Sequence, residues 1–152
     1  KHRPQATQSA VDLSPGALEV ARENARQLDL PNAHFIPSAW FAALPPQEKF
    51  DVIVSNPPYI AERDPHLAQG DLRFEPVAAL AAGKDGLDDI RAIVAGAPSH
   101  LVSGGWLLFE HGYDQAEACR ELLQQAGFSA VSSSEDLAGI ERVTMGRLSG
   151  KE

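Results

Sequence analysis

The run Phe50-Asp51-Val52-Ile53-Val54-Ser55-Asn56-Pro57-Pro58-Tyr59 decides the reading of this chain. Its first half is rich in β-branched and aromatic residues, which favour a strand. The near-continuous apolar character predicts a strand buried on both faces of a parallel sheet. It stops at Asn56. Pro57 disfavours helical geometry at Asn56, Pro58 does the same to Pro57, and neither proline has an N–H to continue a ladder. The product is a stiff turn with exposed carbonyl oxygens and a fixed Asn side chain. Such a turn can grip a planar NH₂ group. One N–H is accepted by the Asn56 amide oxygen and the other by the Pro57 carbonyl, while Tyr59 covers the face of that group or of a bound cation. The plainer alternative is a strand terminator with an Asn cap. Asn-Pro-Pro-Tyr directly after Val-Ile-Val-Ser favours the gripping role.

Working outward, residues 7–13 read as a short strand ending in an acid. Ser14-Pro15 supplies an N-cap and a first helical position, and residues 15–29 show apolar steps of three and four at Ala17, Leu18, Ala21, Ala25 and Leu28. Residues 33–36 read as a second strand. Residues 56–85 form a long stretch rich in Pro, Gly and charge, of the kind that carries function or is disordered. A helix is expected over 86–101, a buried-type strand over 106–110 after Gly104-Gly105, a helix over 114–126, and strands over 128–133 and 140–148. Strands alternating with helices predict an α/β domain on a largely parallel sheet.

Composition sets the outer limits. A length of 152 residues suits one domain, and 43% hydrophobic with 22% charged residues promises a packed core. The single cysteine, Cys119, excludes an intrachain disulfide framework and a cysteine-only zinc site. No apolar run approaches the roughly 20 residues that span a bilayer, and the basic start lacks the apolar region of a signal peptide. A reducing, cytoplasmic compartment and no membrane contact are the expectation. Thirteen basic against 21 acidic residues give a net charge of −8, which disfavours general nucleic-acid binding. His2, His34, His66, His100 and His111 have no metal-ligand spacing, so no metal site is expected and surface or cap roles are assigned. Cys119 and Met145 read as packing residues, and Trp40 and Trp106, taken alone, as core. The acidic run Asp85–Asp89 reads as a helix N-terminus matched to its dipole.

Open α/β sheets bind ligands beyond the carboxyl ends of their strands. That rule points to Asp12, the Asn56 turn and Glu110-His111. Asp12 can accept hydrogen bonds from both hydroxyls of a ribose, or be a solvated acid beside a helix N-terminus. Glu110-His111 reads as structural.

These residues sit in a pattern that resembles a known family. Ala10-Val11-Asp12-Leu13-Ser14, Ala21-Arg22-Glu23-Asn24-Ala25, Val54-Ser55-Asn56-Pro57-Pro58-Tyr59-Ile60, Gly70-Asp71-Leu72-Arg73-Phe74-Glu75-Pro76, Leu108-Phe109-Glu110-His111-Gly112 and Glu141-Arg142-Val143-Thr144 follow one another as in the HemK/PrmC glutamine N5-methyltransferases of peptide-chain release factors. The Gly70–Pro76 and Glu141 stretches set this branch apart from nucleic-acid methyltransferases that share only the Asn-Pro-Pro-Tyr turn.

The resemblance implies a Rossmann-like, class I S-adenosylmethionine-dependent methyltransferase fold, α/β, with a largely parallel sheet and an antiparallel C-terminal strand. It implies S-adenosylmethionine as cofactor, and as substrate the glutamine of a Gly-Gly-Gln loop in a release factor. It assigns Asn56, Pro57 and Tyr59 to catalysis. Asp12, Trp40 and Asn56 would face the cofactor, with Asp12 on its ribose, and Asn56, Pro57, Pro58, Tyr59 and Glu75 the substrate. Where the family usually has an acid for the adenine amino group, this chain has Ala39.

The family's first strand, its glycine-rich cofactor loop and an N-terminal helical substrate domain would precede residue 1, and Lys1–Gln5 resembles the tail of the helix that follows that loop. Residues 1–152 are therefore expected to be a single, truncated catalytic domain. It should bind cofactor weakly and self-associate through the gap of the missing central strand. Two other functions stay open: an amino-group methyltransferase acting on adenine or guanine in nucleic acid, and a non-catalytic, self-associating fragment.

Overall fold

Where the sequence alternates apolar strand and amphipathic helix, the backbone does the same. A computed structural model of the chain describes residues 3, 5–61 and 82–150. It divides into two compact units, residues 1–48 and 49–152.

The first unit is a βαβ motif. Strands β1 (Gln8–Asp12) and β2 (Ala33–Pro37) pair in parallel, with Asp12 opposite Pro37, and helix α1 (Pro15–Gln27) connects them. Ser14 caps α1 by accepting the Ala17 N–H at 3.2 Å, with Pro15 in the first turn. Leu18 and Ala25, seven residues apart on one face, are buried. Asp29, in the left-handed region at φ 54°, ends the helix as the Leu30 N–H returns to the Ala25 carbonyl at 2.9 Å.

The second unit carries strands β3 (Phe50–Ser55), β4 (Leu101–Glu110), β5 (Phe128–Glu135) and β6 (Glu141–Leu148) in the order β3-β4-β6-β5. Strands β3 and β4 are parallel, and β6 runs antiparallel to both of its neighbours. The antiparallel C-terminal strand is the one the family resemblance implied, whereas in this sheet only the β3–β4 pairing is parallel. Helices α2 (Asp88–Gly96) and α3 (Ala116–Gln125) bring in the rest of the core. Leu101, Leu107 and Phe109 are buried from β4, Ile90, Ile93 and Val94 from α2, and Cys119 and Leu123 from α3.

Three details differ from the sequence reading. Strand β3 is not buried on both faces: it is the edge of its sheet, and Val52 and Val54 are 51% and 74% exposed. The helix expected to reach residue 101 stops at Gly96, passes through a 3₁₀ turn at Ala97–Ser99, and gives way to β4 at Leu101. Gly104-Gly105 does not precede β4 but lies inside it, where the register jumps from Phe50↔Leu101 to Val52↔Trp106. A Cβ at Gly105 would stand 3.1 Å from the Asp51 carbonyl, so the irregularity needs a residue without one.

Helix α3 packs on β6 through a glycine. A Cβ at Gly146 would lie 3.2 Å from Leu123 Cδ1 and 3.0 Å from Phe128 Cβ. Leu123→Ala would open a cavity in that close contact. It is expected to cost about 2–5 kcal/mol, read from the shift of the urea unfolding midpoint at constant slope.

Candidate active site

The site is built from the end of β3 outward. Ser55 pairs with Phe109, so Asn56 leaves the ladder at the carboxyl end of a parallel strand, where α/β sheets place ligands. Pro57 is buried, Pro58 and Tyr59 are half-buried, and Asn56 is exposed. The Asn56 amide makes no hydrogen bond among the described residues, so its donor and its acceptor are unspent there.

Tyr59 is held at both ends. Its phenol donates to Glu110 Oε1 at 3.0 Å, and Arg142 Nη2 donates to the phenol oxygen at 3.3 Å. The Arg142 guanidinium also stands over the ring, 5.5 Å from its centroid. Burial first, and then the bond to Glu110, push the phenol above its ordinary value of 10.0. On the backbone side, the Tyr59 carbonyl accepts from Gln115 Nε2 at 3.0 Å. The same amide donates to the Asp85 carbonyl at 3.2 Å, and its oxygen accepts the Gly112 N–H at 2.7 Å. Asp85 in turn pairs with Arg91 at 2.6 Å, which holds its carboxyl down at about 2. The acidic run thus divides: Asp88 and Asp89 occupy the first turn of α2, and Asp85 folds back on Arg91.

A polar chain starts from the residue after β4 and runs from the core toward the surface. His111, read from the sequence as a surface or cap residue, is fully buried instead. Leu107 and Phe109 face the core, and the two-residue period carries His111 inward after them. A buried imidazole needs partners. Its Nδ1 lies 2.8 Å from the Gly112 carbonyl, which only accepts, so Nδ1 carries a proton. Its Nε2 meets Thr144 Oγ1 at 2.8 Å, Thr144 meets Ser133 Oγ at 2.8 Å, and Arg120 joins Ser133 to Glu141, each at 2.8 Å. His100 is also buried, at the end of the 3₁₀ turn, where its N–H bonds the Ala97 carbonyl.

In the first unit, Asp12 ends β1. Its Oδ1 accepts the Ser14 N–H at 2.7 Å, and its carbonyl accepts the Ser38 N–H at 3.0 Å. Ser38 Oγ donates to the Trp40 carbonyl at 3.0 Å and accepts the Ala43 N–H at 2.9 Å. Trp40 is half-buried at φ 49°, a backbone region that bulky residues seldom occupy and that clusters at binding sites. Asp12 is exposed, and its Oδ2 has no partner among the described residues, so this strand end offers a carboxylate oxygen to a hydroxyl donor. Glu75 and the rest of the Gly70–Pro76 stretch lie outside the described residues.

Of the predicted site residues, the structure brings Asn56, Pro57, Pro58 and Tyr59 together in one unit, and Asp12 and Trp40 together in the other. The sequence reading gave no role to Gln115 or Arg142 and took Glu110 as structural. Glu110 was findable as the acid at a strand's carboxyl end. Gln115 reaches across 56 residues to Tyr59 and carries no local signal.

Residues 1–82 match the family described as a methyltransferase domain. The chain belongs to that methyltransferase family. Its relatives include proteins named release factor glutamine methyltransferase. The one from Burkholderia pseudomallei is 56% identical over 153 residues, covering 97% of this chain and 54% of the relative. The one from Vibrio cholerae is 52% identical over 139 residues, covering 91% and 49%. The chain thus spans about half the length of the curated relatives it matches. Among solved structures, a methyltransferase from Pyrococcus furiosus superposes with a TM-score of 0.69 at 18% identity, covering 95% of this chain and 64% of that one. A T. thermophilus 16S rRNA N2 G1207 methyltransferase, solved with AdoMet and guanosine, superposes at 0.67 and 19%, covering 94% and 32%. The fold is therefore the Rossmann-like one of class I methyltransferases. Among the described residues of this methyltransferase chain, no group of three or more His, Cys, Asp or Glu could hold a metal ion, and no helix is long and apolar enough to cross a membrane.

The raised Tyr59 phenol fixes a pH dependence. A value raised on folding adds stability in full below pH 10, and that contribution is lost as pH climbs through the higher folded value. Tyr59→Phe has no such group to lose. Urea unfolding between pH 9 and 11.5 should therefore show a smaller alkaline loss of stability in Tyr59→Phe than in the parent. Equal losses would mean the phenol is not held as described.

Proposed function

We propose that this chain is the catalytic portion of an S-adenosylmethionine-dependent methyltransferase that modifies the side-chain amide nitrogen of glutamine in the Gly-Gly-Gln loop of a peptide-chain release factor. The observation that carries this reading is the Asn56–Tyr59 turn, with its unspent amide, at the end of a parallel strand. Relatives 52–56% identical that are named for that reaction support it.

Asn56 and Pro57 take the substrate NH₂, one N–H to the Asn56 amide oxygen and one to the Pro57 carbonyl. Amide nitrogen is a weak nucleophile because its lone pair is delocalised into the carbonyl. Two fixed acceptors orient that nitrogen and stabilise the positive charge that develops on it. Pro58 and Tyr59 line the same pocket, and the family resemblance assigns Glu75 to the substrate. The cofactor, when bound, supplies a methyl group on a sulfonium centre. Asp12 would hold its ribose hydroxyls through the oxygen that Ser14 leaves open, and Trp40 would also face it. Alignment alone can lower the barrier by several kcal/mol, up to roughly 7–11. No strong base is required, because the methylated amide nitrogen becomes acidic and sheds its proton afterwards. The cytoplasm, where translation ends, is the compartment this reading requires.

In the full-length protein, Asn56→Ala should reduce methyl transfer to release factor about a hundredfold or more, while calorimetry shows S-adenosylmethionine binding within a few-fold of the parent. Full activity in Asn56→Ala would remove the amide grip. Label appearing on bare RNA but not on release factor would replace the glutamine reading with the nucleobase one. Transfer to neither would leave a non-catalytic domain.

A further inference from the structure

Gln115 occupies the N-cap position of α3, where Ser, Thr, Asp or Asn would bond the first turn, yet its side chain makes no cap bond to its own helix. The side chain is 8% exposed and is spent elsewhere. Its oxygen takes the Gly112 N–H at 2.7 Å, and its two N–H groups go to the Tyr59 carbonyl at 3.0 Å and the Asp85 carbonyl at 3.2 Å. Carbonyls only accept, so the orientation of the amide is dictated by its partners. Its surroundings are closely packed. A Cβ at Gly86 would stand 2.7 Å from Gln115 Nε2 and 2.3 Å from the Tyr59 carbonyl, and one at Gly112 would stand 2.9 Å from Gln115 Oε1. One side chain therefore ties three segments: the turn after β3, the approach to α2, and the loop after β4.

We propose that Gln115 is a positioning residue for methyl transfer, setting the aim of the Asn56–Pro57 acceptors by fixing the far end of their turn. The proposal rests on the amide-gripping role assigned above. Pro57 and Pro58 have locked φ angles, so the segment from Asn56 to Tyr59 moves as a stiff unit, and anchoring the Tyr59 carbonyl anchors the Pro57 carbonyl two residues earlier. No other residue type supplies two donors and an acceptor at this reach. Asn is too short, Glu loses both donors when ionised, and Met keeps the shape but bonds nothing.

The test uses the full-length protein with S-adenosylmethionine and release factor. Gln115→Met should lower kcat about 10- to 100-fold with the KM for S-adenosylmethionine within about threefold. Hydrogen exchange at the backbone amides of residues 59–61 should quicken. Gln115→Glu keeps the acceptor for Gly112 and regains one donor on protonation. Its kcat relative to the parent should rise as pH falls from 8.5 to 6, a recovery that a merely structural role would not produce. It also serves where Gln115→Met fails to fold. Parental kcat in Gln115→Met, or unchanged exchange at residues 59–61, would overturn the proposal, as would a Gln115→Glu ratio flat with pH. If the parent protein itself moves no methyl group to release factor, the functional reading fails, and exchange at residues 59–61 still decides whether Gln115 holds the turn.

Discussion

Ser55 pairs with Phe109, and the two prolines that follow forbid that pairing from going further. Nearly everything in the second unit follows from this stop. A strand that continued would bury its polar backbone in the ladder. A strand that ends in two residues without N–H groups leaves the ladder at little entropic cost, because proline has already lost its φ freedom. Pro57 is buried, so the turn is anchored by packing as well as by ring geometry. What remains loose is its exit, and the structure binds that exit from two sides: Gln115 on the Tyr59 carbonyl, Glu110 and Arg142 on the Tyr59 phenol.

These supports are polar, Gln115 buried and Glu110 and Arg142 half-buried, which is costly unless every group is satisfied. Among the described residues no buried side-chain nitrogen or oxygen lacks a partner. The reason they lie there at all is the pleat of β4. Its period of two sends Leu107, Phe109 and then His111 to the core and Glu110 to the turn. The strand thus changes from apolar to polar content just where the sheet meets the site. His111 in a core position demands the relay of Thr144, Ser133 and Arg120 that reaches Glu141. That relay crosses β6 and β5 and so fastens the C-terminal hairpin to the strand end that carries Glu110.

The features legible in the sequence were those governed by local rules. β-Branched content, the Ser14-Pro15 cap, the seven-residue spacing of Leu18 and Ala25, and the two prolines each act within a few residues of themselves. Strands β1, β2 and β3 and helix α1 emerged close to their observed bounds. What escaped was set by partners distant in sequence. Apolar Val52 and Val54 look the same in an edge strand as in a central one, because only the neighbouring strands decide which it is. Gly104-Gly105 punctuates a strand start or a bulge equally well, and the Asp51 carbonyl that selects the bulge lies on another strand. His111 would have been recognised as buried had the alternation of β4 been carried one step past Glu110. Gln115 offered nothing, since a glutamine before a helix is ordinary until the carbonyls of Tyr59 and Asp85 converge on it.

The division of labour along the chain follows the same physics. The methyltransferase-family match covers residues 1–82, which contain the Asn56 turn, whereas Glu110, Gln115 and Arg142, which brace it, all lie beyond. A turn with outward carbonyls can accept any planar NH₂ group, so its chemistry alone does not choose between a nucleobase amine and a side-chain amide. The choice has to come from what fixes the turn's direction and what lines its approach. In this chain Gln115, Glu110 and Arg142, none of which belongs to the turn itself, hydrogen-bond with Tyr59 at its end. Specificity of this kind is a property of packing between distant segments.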